Sequence, residues 1–148
     1  MSYKDLAKRR ECSRIATHKY YRRLHPRKPT SKHTERTREQ LAWVAGLFEG
    51  EGCFCMLRSK WGLYPRAVLI MTDFDRVIKL CDVLGFGNLQ LRAGRLRLGG
   101  RCKEQLEWNA CSFEQFQATV ALLWTWLGPR RRKKAKELLV EYYAYHRS

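Results

Sequence analysis

The sequence predicts an α+β fold: helices cover one face of a four-stranded antiparallel sheet, and a basic N-terminal arm precedes them. Three observations carry this. The apolar period switches between helical and alternating in the order helix, strand, strand, helix, strand, strand, helix, helix. Two capping boxes, Thr37 with Gln40 and Ser112 with Gln115, mark helix starts. Charge is crowded at one end, where residues 1–38 hold 13 basic and 3 acidic side chains, a net of +10 against +16 for the whole chain.

A length of 148 residues suits one domain with a real core, and 45% hydrophobic residues with five Trp mark a folded chain. Residues 1–36 form the arm and linker. The stretch "KDLAKRRECSRIATHKYYRRLHPRKP" reads as a basic helix to Leu24, ended by Pro26 and Pro29. Its competing readings are a disordered tail and an arm along phosphates, with Tyr20 and Tyr21 packing on sugars or bases.

The compact domain spans 37–148. After Thr37, Leu41, Val44, Ala45 and Phe48 recur at helical spacing. A strand over 53–60 follows, "KWGLYP" reads as a turn, and "RAVLIMT" as an apolar strand. Thr72 and Asp75 bracket a helix start. Phe74, Val77, Ile78, Cys81 and Leu84 form that helix's buried face, and Gly85 ends it. "NLQLRAGRLRLGGRCKEQLEWNA" alternates as two strands, and its parity slip near Gly94 predicts a bulge or loop. Phe113, Phe116, Val120, Leu123 and Leu127 form the next helical face. Pro129 opens a basic helix with Ala135, Leu138, Leu139 and Tyr142 facing inward.

The charge of +16 points to a polyanion, and nucleic acid is favoured because the arginines interleave with strand patterns. Arg66, Gln90, Arg92, Arg95, Arg97, Lys103 and Gln105 are expected on the sheet's open face, with Arg58, Lys60, Arg130, Arg132 and Lys133 as further DNA contacts. An antiparallel ribbon fits the major groove, where Arg and Gln read base edges. An ordinary solvated sheet face is the competing reading. No apolar run approaches the roughly 18 to 20 residues of a membrane span. The first residues lack a secretory signal, so the expected setting is intracellular: a bacterial or phage-infected cytoplasm, or an organelle. The six cysteines form no C-x-x-C pair and read as reduced thiols. Their spacing to His18, His25 and His33 does not support a zinc site.

One stretch, "VAGLFEGEG", does not suit an isolated helix. Gly46 and Gly50 each cost about 1 kcal/mol in a helix interior relative to alanine. Glu49 and Glu51 put negative charge at the helix C-terminus, where the dipole disfavours it. With Ala42 the glycines make a small-residue stripe on which two helix backbones can approach closely.

"LAWVAGLFEGEGCF", aligned at Val44 to Gly52, resembles the signature of the LAGLIDADG homing endonucleases, as do "MTDFD" and "WLGPRRRKKAKELL" in their places. The resemblance covers Thr37 to His146. It implies a mixed αββαββα fold with the motif helix packed against a second copy through Ala42, Gly46 and Gly50. With one motif per chain, that second copy comes from a homodimer. It further implies hydrolysis of both strands of a long, roughly palindromic double-stranded DNA site, with Mg2+ or another divalent cation such as Mn2+. Its metal-binding carboxylate falls on Glu51, where the usual residue is aspartate, and Gly50 adds a carbonyl ligand. A second polar catalytic position falls on Asp73, for which helix capping competes. The catalytic basic residue falls on Arg131, with Arg130, Arg132 or Lys133 equally compatible. Intron RNA is a further partner that the family allows. A non-cleaving maturase or transcription regulator on the same fold is the alternative.

Overall fold

The computed structural model describes residues 35–60, 62–92 and 103–147, and the backbone alone of 96–97 and 100–101. The arm before residue 35, Arg95 and the Arg97 side chain lie outside it.

Helix α1 (Arg38–Glu51) begins where the capping box places it: Thr37 Oγ1 accepts from the Gln40 amide at 3.2 Å, and Gln40 Oε1 accepts from the Thr37 amide at 3.0 Å. Strand β1 (Gly52–Ser59) follows with no linking loop, then β2 (Gly62–Met71). The turn between them is shorter than "KWGLYP" predicts. Gly62, at φ +127, reverses the chain, and Leu63 to Pro65 already pair in β2, with Pro65 opposite Met56. Proline is tolerated there because the next strand pairs with β2 only from Ala67 onward, so the missing N–H removes no bond on that side.

Helix α2 (Phe74–Leu84) is capped by Asp73 and ends at Gly85, whose φ of +71 is the left-handed conformation expected of a terminating glycine. Arg36, just before the domain, donates to the terminal carbonyls of α2, Val83 at 2.9 Å and Leu84 at 2.7 Å. Strand β3 (Asn88–Arg92) pairs with β6 (Gln105–Ala110), and between them β4 (Leu96–Arg97) and β5 (Gly100–Arg101) form a small separate ladder. Arg92 faces Gln105, and Leu96 faces Arg101. The bulge or loop expected near Gly94 falls on residues outside those described. The sheet order is β1-β2-β6-β3, all antiparallel.

Helix α3 (Phe113–Leu123) is capped by Ser112, and α4 (Pro129–Arg147) opens on its proline. The core joins Val44, Ala45 and Phe48 of α1 with Phe54, Ala67, Leu69, Leu106, Trp108 and Ala110 of the sheet and the inner faces of α2, α3 and α4. Those sheet residues share one face. Leu80 and Val83 are buried in α2 beside the predicted Val77, Ile78 and Leu84. Tyr142 stacks on Phe113 with ring centroids 3.9 Å apart. No helix among the described residues is long and apolar enough to cross a membrane.

Candidate active site and nucleic-acid interface

Because β1 starts directly at the end of α1, the motif acids are held at the junction of helix and sheet. Their roles differ. The Glu49 carboxylate accepts the Gly128 amide at 2.7 Å, and the Glu49 carbonyl accepts Arg131 Nη2 at 3.2 Å. Glu49 therefore ties α1 to the start of α4. Glu51 is exposed and has no hydrogen bond or ion pair among the described residues. Arg131 places a cation at the negative end of the α1 dipole, where α1 has no basic residue of its own in its last turn. It also lies close enough to Cys53 to oppose the upward push that burial gives that thiol. Arg131 Nε is buried and finds no acceptor among the described residues.

Asp73 follows Met71, and β2 pairs with β1 through Leu69 and Gly52, so Asp73 and Glu51 lie at the same end of the sheet. Its carboxylate is engaged: it accepts the Arg76 amide at 3.4 Å and pairs with Arg76 Nε at 2.9 Å. The capping role is thus present in the folded chain. In the basic run, Arg132 donates to the carbonyls of Trp124 and Thr125, each at 3.0 Å, and its guanidinium lies over the Trp124 ring. Arg130 and Lys133 are exposed. Arg131 alone of these four has a described bond to the end of α1.

Gly46 and Gly50 are exposed, and a Cβ on either would meet no atom within 4 Å beyond its own helix. Among the described residues nothing requires glycine at these positions. Gly52, which the sequence does not single out, is different. A Cβ there would fall 2.2 Å from Phe48 Cδ1 and 2.7 Å from the Phe48 carbonyl.

The register puts Arg66, Gln90, Arg92 and Gln105 on the sheet face away from the helices, with Lys103 exposed just before β6. Arg58 alternates with Phe54 and Met56, so it belongs to the opposite face at the hairpin end, near exposed Lys60. A buried polar group on the outer face escaped the sequence reading. Glu107 is 1% exposed and Asn109 6%. Arg92 pairs with Glu107, Asn109 Nδ2 donates to Glu107 Oε1 at 3.0 Å, and the Cys111 thiol donates to Asn109 Oδ1 at 2.8 Å. Arg66 Nε donates to Cys55 Sγ at 3.4 Å. Cys53, Cys55, Cys81 and Cys111 are free thiols.

No group of three or more His, Cys, Asp or Glu converges among the described residues. The donors at the end of α1 are oxygens, the Glu51 carboxylate and the Gly50 carbonyl, which fit a hard divalent cation such as Mg2+. These two groups alone are too few to fill an octahedral shell.

No protein-family model and no curated protein matches the chain. Solved structures do. The chain is similar to the group I intron-encoded homing endonuclease I-CeuI, complexed with DNA, at 17% identity and a TM-score of 0.55 over 93% of this chain and 70% of that one. It is similar to the LAGLIDADG meganuclease I-CpaMI, bound to uncleaved DNA, at 15% identity and 0.53 over 76% of this chain. The LAGLIDADG meganuclease I-AabMI, also bound to uncleaved DNA, gives 17% identity and 0.52 over 68%. The chain spans only 39% and 35% of those two meganucleases. With its helix order, sheet and motif helix, this chain has the fold of the LAGLIDADG homing endonucleases.

Proposed function

We propose that the chain is a single-motif LAGLIDADG endonuclease that acts as a homodimer on double-stranded DNA. The observation that carries this reading is the end of α1. Glu51, a carboxylate with no partner among the described residues, terminates a helix whose exposed face carries two glycines that no described residue crowds. Pairing two such helices would bring two Glu51 carboxylates together on a two-fold axis. Glu51 and the Gly50 carbonyl would hold a divalent cation, which when bound activates water and stabilises a departing oxygen in phosphodiester hydrolysis. Arg131 would steady the helix end and face the phosphate. Arg66, Gln90, Arg92 and Gln105 would lie in the major groove, and the arm would follow the backbone. Intron RNA is a further candidate partner, and an intron or intein a candidate genetic setting.

One observation favours a second reading, a non-cleaving DNA- or RNA-binding protein on the same fold. Asp73 is committed to capping and to Arg76, which leaves Glu51 as the one acid of the three without a described partner. Incubation with randomised duplex DNA in Mg2+ and in EDTA separates the two. Double-strand cleavage in Mg2+ that is lost in EDTA and in Glu51→Gln supports the endonuclease. Binding without cleavage in any divalent cation supports the second reading.

A further inference from the structure

Glu107 sits in β6 on the sheet face away from the helices, yet it is 1% exposed. Burying a carboxylate costs several kcal/mol unless it is paired, and an apolar strand residue would serve the fold as well. Its partner is Arg92, whose Nε and Nη2 both donate to the same oxygen, Oε2, at 2.5 Å. The other oxygen accepts from Asn109. Arg92 is thus gripped along one edge of its guanidinium. Its Nη1 has no partner among the described residues, and its side chain remains 46% exposed.

We propose that Glu107 is a positioning residue that fixes Arg92 so that its free fork reads a guanine in the major groove. This rests on the DNA-cleaving or DNA-binding reading of the open sheet face. The end-on fork of an arginine matches the O6 and N7 acceptors of guanine. A guanidinium already locked by a buried carboxylate loses little rotamer freedom on binding. The pairing also offsets the arginine's charge, which weakens it as a clamp for phosphate while leaving its directional donors intact. Gln90, directly across from Glu107 in the ladder and exposed, lies on the same reading surface.

Binding selection on a randomised duplex library, run in EDTA with the full chain, tests this with three proteins: wild type, Glu107→Gln and Arg92→Lys. Wild type should select guanine at one position in each half-site. Both variants should lose about tenfold of that discrimination, at the same position and no other, with unchanged circular dichroism. A role for Glu107 in stability alone would lower the melting temperature and leave the selected sequence intact, which overturns the proposal. Equal loss at all positions would mark Arg92 as a phosphate contact and overturn it as well. If Glu107→Gln does not fold, Arg92→Lys decides, since retained guanine preference there overturns the proposal. A flat wild-type profile overturns the sequence-reading role of the sheet itself, whereas a peaked profile untouched by either variant overturns only the role of Glu107 and Arg92.

Discussion

The Glu49 carboxylate accepts the Gly128 amide at 2.7 Å, across 79 residues of sequence. This contact separates two acids that lie two residues apart in one motif. Glu49 secures the packing of α1 against the start of α4, and Arg131 strengthens the same joint through the Glu49 carbonyl. Glu51, half a turn later, has no hydrogen bond or ion pair among the described residues.

Substitution should therefore split stability from activity. Glu49→Ala removes an exposed, charge-assisted bond and should cost about 1 kcal/mol in denaturant unfolding. Glu51→Gln should leave the unfolding midpoint unchanged, retain DNA binding and abolish cleavage. A Glu51 variant that cuts at the wild-type rate would remove it from the active site.

Gly52 should be intolerant for a purely steric reason. The Phe48 ring and carbonyl occupy the space a Cβ would need, and Phe48 itself is fully buried against Phe54 and Trp108. Gly52→Ala must displace either the ring or the backbone, at about 1 to 3 kcal/mol. Thermal unfolding measures this directly, and a wild-type melting temperature would show that α1 and β1 can shift apart freely.

The elements that local chemistry controls were legible in the sequence. Thr37 with Gln40, Ser112, Pro129 and Gly85 mark helix ends within a few residues of themselves, and the structure uses each; at Ser112 the cap is one-sided, its hydroxyl accepting the Gln115 amide. The turn at 60–65 misled because Pro65 reads as a breaker when the absence of a second neighbouring strand cannot be seen. The Glu49–Gly128 joint and the Arg92–Glu107 pair were illegible for the same kind of reason. Each depends on which strands and helices become neighbours, and Glu107 in isolation is only a polar residue in an alternating strand. Gly46 and Gly52 look alike in sequence. Only the surroundings of each show that one is free and the other crowded.

Cys81 gives a pH signature. Burial, aided by the nearby Asp82 charge, pushes its thiol up from 9.0 to about 11. Below pH 9 both folded and unfolded chains keep the proton. Between pH 9 and 11 the unfolded chain releases it and the folded chain does not, so stability falls as pH rises through that window. Urea unfolding at pH 8, 9 and 10 should show the decline, and Cys81→Ala should flatten it. An identical slope in the variant would assign the decline to other groups.

Gly46 tests the assembly. Among the described residues its position is open: a Cβ there meets no atom within 4 Å beyond its own helix. Glycine in an exposed helix interior is about 1 kcal/mol worse than a good helix former, so Gly46→Leu should leave the isolated chain as stable as wild type or more so. If the motif helices of two copies touch at Gly46 and Gly50, the same leucine is bulk where backbones meet. Overpacking of that kind costs about 1 to 3 kcal/mol, and each copy would carry it. The two effects have opposite signs, which makes the result decisive. On the proposed reading, sedimentation should show a dimer for wild type and a monomer for the variant, circular dichroism and melting should show an intact fold, and double-strand cleavage should be lost. A variant that remains dimeric and active would mean that the helices do not pack through this face, and the exposed glycines would then need another explanation.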